Sequence, residues 1–468
     1  MGRRRWATAA RVLLVMALAA AAVVAGYAVT AAARRAPAAR PAPRNSVGAA
    51  ALSAAAAPPS RPSAAAQAAP APNTSTSPAS TPAAVAARLR SVVRAAGLGG
   101  RLRARVADLA SGAVLYDTGG ASAAAPASTA KLLTAAALLA VRAPTDRIAT
   151  TVRRGAGGAL VLVGGGDPTL SAAPAGRRSA YPDAARIAGL AAAVRRAHLR
   201  PTRIVVDDRL FTGPPVSPSW APGDVPSDYA SAITAAMVDG GRARTGAAVR
   251  SAEPDLAAGR ALAAALGSPR LPVGRGRAPR SSPLIGEVRS APLSELIEQM
   301  LQLSDNVIAE CLGRLVALAD HQPASFAGAA AAIRAVLGRL GVDPGAGMRD
   351  ASGLAASDRL SPAALVGVLR LAARTPRLRD VLAGLPVAAW SGTLADRYVS
   401  GSAAAGAGVV RAKTGTLTGV SALAGVVHDR AGSALAFALI ADRASSTSAA
   451  EAALDRVVAA LAGCGCPG

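Results

Sequence analysis

The sequence predicts an α/β (α+β) protein with an inserted domain, and three observations carry that prediction. The chain has 468 residues, of which 51% are hydrophobic, enough for two or more domains of about 100–200 residues each. Residues 128–141 are rich in Ala and Leu and read as a buried helix, while the chain closes on strands at 409–416, 421–427 and 435–441 and a helix at 449–461. Between about 150 and 290 the texture changes to short strands, Gly/Pro turns and one helix at 183–197.

The N-terminus is set apart from this core. Arg3, Arg4, Arg5 and Arg11 precede a charge-free run from Val12 to Ala33, whose 22 positions span a bilayer core of about 30 Å at about 1.5 Å per helical residue. Residues 1–33 are therefore expected to be a transmembrane anchor with the N-terminus in the cytoplasm and the remainder exported. The Ala-rich stretch at 29–33 leaves cleavage as a signal segment open. Residues 34–82 are Pro, Ala, Ser and Thr with almost no large apolar side chain, so they read as a disordered linker across the wall.

Folding is expected from Ala83, where Val85, Leu89, Val92 and Val93 recur at helical spacing, through to residue 468. A hairpin follows around Ser111-Gly112, joining 106–109 to 114–116. Beyond the insertion, helices are expected at 292–318 and 326–340. No repeat is apparent.

Net charge is +25, yet the basic residues are scattered and only 2% of the chain is aromatic, which argues against a nucleic-acid partner. An excess of Arg suits an anionic wall or membrane surface. The three histidines, His198, His321 and His428, are dispersed and no Cys/His spacing fits a metal, so neither a metal nor another cofactor is expected. Cys311 falls on a predicted helix as a small buried apolar residue. A disulfide between Cys464 and Cys466 would be strained, and the pair receives no role.

The basic residues also carry the sharpest clue: of 52, all but Lys131 and Lys413 are Arg. Arg does not release its proton in a protein, whereas a buried Lys can act as a base or a compact cation. Lys131 stands three residues after Ser128 in Pro126-Ala127-Ser128-Thr129-Ala130-Lys131, where a helix should begin. At i and i+3 the amine can take the proton of the Ser128 hydroxyl as it attacks an acyl group. The free N–H groups of the helix start favour an oxyanion there. The spacing alone is weak, because Ser is also an ordinary N-cap.

Two further motifs strengthen it. Ser304-Asp305-Asn306 reads either as a helix cap or as a proton relay (Ser304) to the leaving amine beside a residue (Asn306) that holds the substrate amide and touches Lys131. Lys413-Thr414-Gly415-Thr416 lies on a strand whose interior Gly415 admits a second backbone, suiting a peptide substrate laid along the strand edge. Lys413 and Thr414 would bind its terminal carboxylate, and the Thr416 N–H would join that of Ser128 as the oxyanion hole. A Ser-His-Asp hydrolase is disfavoured, since there is no GxSxG elbow.

With all three motifs in order, the chain resembles the serine D-Ala-D-Ala carboxypeptidase/endopeptidase family, the class C low-molecular-mass penicillin-binding proteins, over roughly 85–460. The resemblance extends to Leu162-Val163-Gly164-Gly165-Gly166-Asp167-Pro168-Thr169-Leu170, Val205-Val206-Asp207-Asp208, Asp350-Ala351-Ser352-Gly353-Leu354 and Ser391-Gly392-Thr393-Leu394. It implies a transpeptidase/β-lactamase-like domain: an antiparallel sheet flanked by helices, a helical lobe, the active site between them and an insertion after the SxxK helix. It also implies hydrolysis of peptidoglycan stem peptides through an acyl-enzyme that β-lactams trap. A β-lactamase or esterase with the same Ser-Lys centre is the alternative within enzymes, and an idle membrane-anchored wall-binding protein the alternative outside them.

Overall fold

Two five-stranded sheets organise the computed structural model, which describes residues 81–464 apart from 96–97, 99–100, 243, 280, 443 and 445. The expected anchor at 1–33 and all but the last two residues of the expected linker lie outside the described residues. Among the described residues no helix is long and apolar enough to cross a membrane.

In chain order the elements begin with α1 (Pro82–Ala95), β1 (Arg101–Asp108), β2 (Val114–Thr118) and α2 (Lys131–Val141). The insertion contributes β3 (Ala149–Arg154), β4 (Ala159–Val163), α3 (Ile187–Arg196), β5 (Arg203–Asp207), α4 (Pro254–Ala265), β6 (Val273–Arg275) and β7 (Leu284–Arg289). Then come α5 (Leu293–Leu303), α6 (Asn306–Ala319), α7 (Phe326–Arg339), α8 (Pro362–Arg374), β8 (Val410–Leu417), β9 (Val420–His428), β10 (Ala434–Asp442) and α9 (Thr447–Ala462).

The first sheet runs β2-β1-β10-β9-β8 and is antiparallel throughout. Its strands alternate between two cores, as a period of two requires. On one face Leu423, Leu435, Phe437 and Leu439 pack with Val85 and Leu89 of α1 and Val457 and Val458 of α9. On the other, Ala422, Ala424, Ala436 and Ala438 meet the helical lobe through Leu132, Leu133 and the apolar sides of α5 to α8. Small side chains on that face let the lobe lie close. β8 is an edge strand, so its last residues keep a free hydrogen-bonding side.

The insertion forms its own sheet, β6-β5-β4-β3-β7, antiparallel at β3 and parallel across β4, β5 and β6. It carries two helices rather than the one expected. α4 starts on Pro254 with Asp255 in its first turn, both ordinary helix-start signals, but Ala and Gly dominate it. Gly259 sits where a Cβ would come 2.5 Å from a Val273 methyl and 2.8 Å from one of Val206, so close packing on the sheet replaces an apolar stripe.

Two other expectations gain detail. The helical stretch expected at 292–318 is two helices parted at Ser304, which takes left-handed angles (φ 54°, ψ 34°), and Asp305 caps the second by accepting from Val307 N and Ile308 N, in line with the cap reading of this motif. The residue before the expected helix start, Ala127, is also left-handed (φ 47°). Ser128 consequently lies in a 3-10 turn, Ala127–Ala130, and Lys131 is the first residue of α2.

Candidate active site

A cleft of about 1080 Å³ is lined by Ser128, Ser304, Asn306 and Thr416 among others. The turn carrying Ser128 joins sheet to lobe, the α5–α6 junction supplies Ser304 and Asn306, and β8 supplies Thr416. Thus residues from three separate stretches of sequence converge, as the three motifs imply.

Lys131 is completely buried and its ammonium meets three acceptors: Ser128 Oγ at 2.8 Å, Asn306 Oδ1 at 2.6 Å and the Ser352 carbonyl at 2.8 Å. Asn306 in turn donates to the Tyr229 carbonyl at 3.3 Å. Burial lowers the Lys131 pKa to about 8, working against the charges of Asp350, Asp305, Glu310 and Asp358. An amine brought to about 8 can exchange its proton near neutral pH, and Ser128 Oγ is one of the three oxygens within its reach. Burial, and not the second lysine, lowers Lys131. The influence runs the other way: burial, then Lys131, then Arg397 push Lys413 well below the usual lysine range.

Lys413 departs from its expected place. It is fully buried, and its ammonium donates to the carbonyl of Thr414 at 2.9 Å and to its hydroxyl at 3.4 Å. Thr414 Oγ1 donates to Thr393 Oγ1 at 2.8 Å. Lys413 and Thr414 are both buried and neither lines the cleft, and Thr393 is a partner with no chemical role in the three motifs as read. Ser304 lines the cleft, but its side chain makes no hydrogen bond with Ser128 or Lys131.

Gly415 proves necessary for a reason other than the expected one. A Cβ there would come 2.7 Å from the Pro126 carbonyl and 3.1 Å from Ser128 N. The backbone it admits is the turn that carries Ser128. Gly415→Ala is expected to push that turn by a few tenths of an ångström or more, destabilising the fold by about 1–3 kcal/mol and slowing covalent labelling by penicillin by up to about a hundredfold. Stopped-flow labelling at matched folded fraction checks this; an unchanged rate would show that the turn tolerates displacement.

Asp305, in the middle of its motif, is a hub. It caps α6, accepts from Tyr181 Oη at 2.7 Å and pairs with Arg250 at 2.7 Å, with both charged side chains 4% exposed. Burial opposes its ionisation, but Arg250 and these hydrogen bonds hold its pKa below the usual carboxylate value. Tyr181 and Arg250 belong to the insertion, so the motif's central residue ties that domain to the site.

Among the described residues, no group of His, Cys, Asp and Glu is arranged to hold a metal ion. Cys311 is buried and free, and Cys464 is disulfide-bonded.

A family model described as the D-Ala-D-Ala carboxypeptidase 3 (S13) family matches residues 85–248 and 242–462. Carboxypeptidase DacB of Mycolicibacterium smegmatis is 43% identical over 376 residues, which are 78% of this chain and 81% of that protein. The D-alanyl-D-alanine carboxypeptidase of Actinomadura sp. (strain R39) is 30% identical over 426 residues, covering 72% and 76% of the two chains. Penicillin binding protein 4 (dacB) from Haemophilus influenzae has a similar fold: its crystal structure gives a TM-score of 0.66 at 21% identity, covering 81% of this chain and 98% of that one. Its complex with a novel β-lactam gives 0.59 at the same identity and coverage.

Proposed function

Since the chain belongs to the D-Ala-D-Ala carboxypeptidase 3 (S13) family, we propose that it is a serine-type D-Ala-D-Ala carboxypeptidase acting on peptidoglycan stem peptides through an acyl-enzyme on Ser128. The observation that carries the mechanism is the buried Lys131 amine, 2.8 Å from Ser128 Oγ with its pKa lowered to about 8.

Lys131 takes the Ser128 proton as Oγ attacks the carbonyl between the two D-Ala residues. The N–H groups of Ser128 and Thr416 receive the oxyanion. Collapse of the tetrahedral intermediate releases the terminal D-Ala, its nitrogen protonated through Lys131 or Ser304, and water later attacks the ester. Asn306 holds Lys131 in place and the substrate amide beside it. Thr414, steadied by Lys413 and Thr393, faces the terminal carboxylate. A β-lactam presents the same carbonyl and carboxylate and would stop at the ester; the Haemophilus protein has been solved in complex with a novel β-lactam.

Support for a place outside the cytoplasmic membrane comes from sequence alone: the arginine cluster, the apolar run at 12–33 and the Pro/Ala linker would tether the enzyme facing the wall. Mass spectrometry of purified wall peptides incubated with the protein tests the function directly. Loss of one D-Ala from pentapeptides supports carboxypeptidase action, and cleaved cross-links support endopeptidase action. Intact peptides together with rapid turnover of penicillin would instead establish the β-lactamase reading. Activity is expected to survive strong chelators; loss on chelation with recovery on added zinc would overturn the serine mechanism.

A further inference from the structure

Behind Lys131 lies a cluster of buried charges that the acylation steps do not use. Glu310, Arg314 and Asp350 are each 0% exposed. Glu310 stands one helical turn after Asn306 on α6, so both side chains project toward the same place. Its Oε1 accepts from the backbone N–H of Ala351 at 3.0 Å and of Ser352 at 2.9 Å. Asp350 ties the same turn from inside, accepting from Ser352 N, Gly353 N and Ala355 N and from the Trp220 indole at 2.8 Å.

That turn supports both reacting groups. The Ser352 carbonyl accepts from Lys131. Gly353, at φ +80°, packs so tightly on the Ala127 carbonyl that a Cβ would come within 1.9 Å of it, directly before Ser128. We propose that Glu310 is a positioning residue for the Ser128–Lys131 pair, fixing the turn whose Ser352 carbonyl orients the lysine amine and bringing its own negative charge to bear on that amine. The proposal rests on Lys131 acting as base.

Glu310 also touches Arg314, whose Nη1 lies 3.4 Å from its Oε2 and whose guanidinium stacks 4.1 Å from the Phe326 ring centre. Placing a carboxylate here costs free energy that an apolar side chain would not, so a role beyond packing is to be looked for. The titratable groups facing it are Arg314 on its own helix, Asp350 and Asp358 from the following loop, and Lys131 from α2. Burial and then the Asp350 charge raise the Glu310 pKa to about 7, and burial and Asp350 raise Asp358 to about 9. Above about pH 7 the Glu310 carboxylate therefore favours the protonated amine. Removing that charge should let Lys131 lose its proton at lower pH.

Two variants separate charge from geometry. Glu310→Gln keeps an oxygen for the two N–H groups and removes the charge. Glu310→Asp keeps the charge and withdraws the oxygen by one methylene. Because the chain has only two lysines, 13C labelling at lysine Cε in the full chain yields two signals, assigned with Lys131→Met, and Lys131 can be titrated by NMR alongside the penicillin acylation rate.

In Glu310→Gln the Lys131 midpoint and the acid limb of acylation should both move to lower pH. In Glu310→Asp the midpoint should move less while the limiting acylation rate falls about ten- to a hundredfold. Folded variants with the wild-type midpoint and rate would overturn the proposal. So would failure of both to fold, which would mark Glu310 as a purely structural residue. If Lys131 itself proves not to be the base, the midpoint and the acid limb will not move together, which separates that failure from this one.

Discussion

Lys131→Arg is expected to lose two or more orders of magnitude in the rate of labelling by penicillin, about what removal of a general base costs. The amine sits in a fully buried space bounded by Ser128 Oγ, Asn306 Oδ1 and the Ser352 carbonyl, all within 2.8 Å. Burial brings the lysine to about 8, where it can accept a proton near neutral pH. Arginine, with a pKa above about 12, would stay charged in the same place. It could still satisfy the three acceptors electrostatically, so the loss should fall on acylation more than on stability. Lys413→Arg keeps a cation behind Thr414 and should cost less in labelling rate, although its full burial makes the added bulk costlier to the fold. Near wild-type labelling by Lys131→Arg, with loss in Lys413→Arg, would require the roles of the two lysines to be exchanged.

The contrast between these lysines shows what the sequence could and could not reveal. Their survival beside 50 basic positions given over to Arg, and their places in ordered motifs, were legible because each spacing corresponds to a local geometry. The i, i+3 pair of Ser128 and Lys131 needs only a helical turn, and the structure supplies one even though it is a 3-10 turn before the helix. The direction in which the Lys413 ammonium points was not legible, because it depends on how β8 packs against the 391–394 turn that carries Thr393. The same limit hid Glu310. Within α6 it reads as one of three polar residues, with Asn306 and Arg314, on a largely apolar helix, and only the fold brings the 350–355 turn onto it.

The fold follows the same division. Strands β8 to β10 and helix α9 carry strong periodicity and lie within one or two residues of their expected ends. β1 begins five residues before its expected start because Leu102, Ala104 and Val106 alternate with Arg side chains, a pattern that reads as polar until its apolar half is known to face a core. The helical stretch at 292–318 divides at Ser304 because Ser-Asp-Asn both ends one helix and starts another, which the cap reading of the motif allowed and its composition permits without requiring.

That break is where the last large effect is expected: Asp305→Ala should destabilise the protein by about 3–5 kcal/mol, the usual cost of removing one partner of a buried ion pair. Arg250 would be left charged and nearly inaccessible, Tyr181 Oη would lose its acceptor, and α6 would lose its cap. These losses share one side chain and will not simply add. The double variant Asp305→Ala with Arg250→Met should recover much of the loss, because no uncompensated charge then remains buried. The advantage of the wild type must also depend on pH in a fixed sense. The folded-state pKa of Asp305 is lowered, so its contribution is full above the unfolded value of about 3.9 and is lost as pH falls through the lower folded value. Denaturant titrations of wild type, Asp305→Ala, Arg250→Met and the double variant at pH 7 and in acid provide the check. A coupling energy near zero between Asp305 and Arg250, or a gap between wild type and Asp305→Ala that stays constant into acid, would show that the pair does not hold the insertion to the catalytic helix.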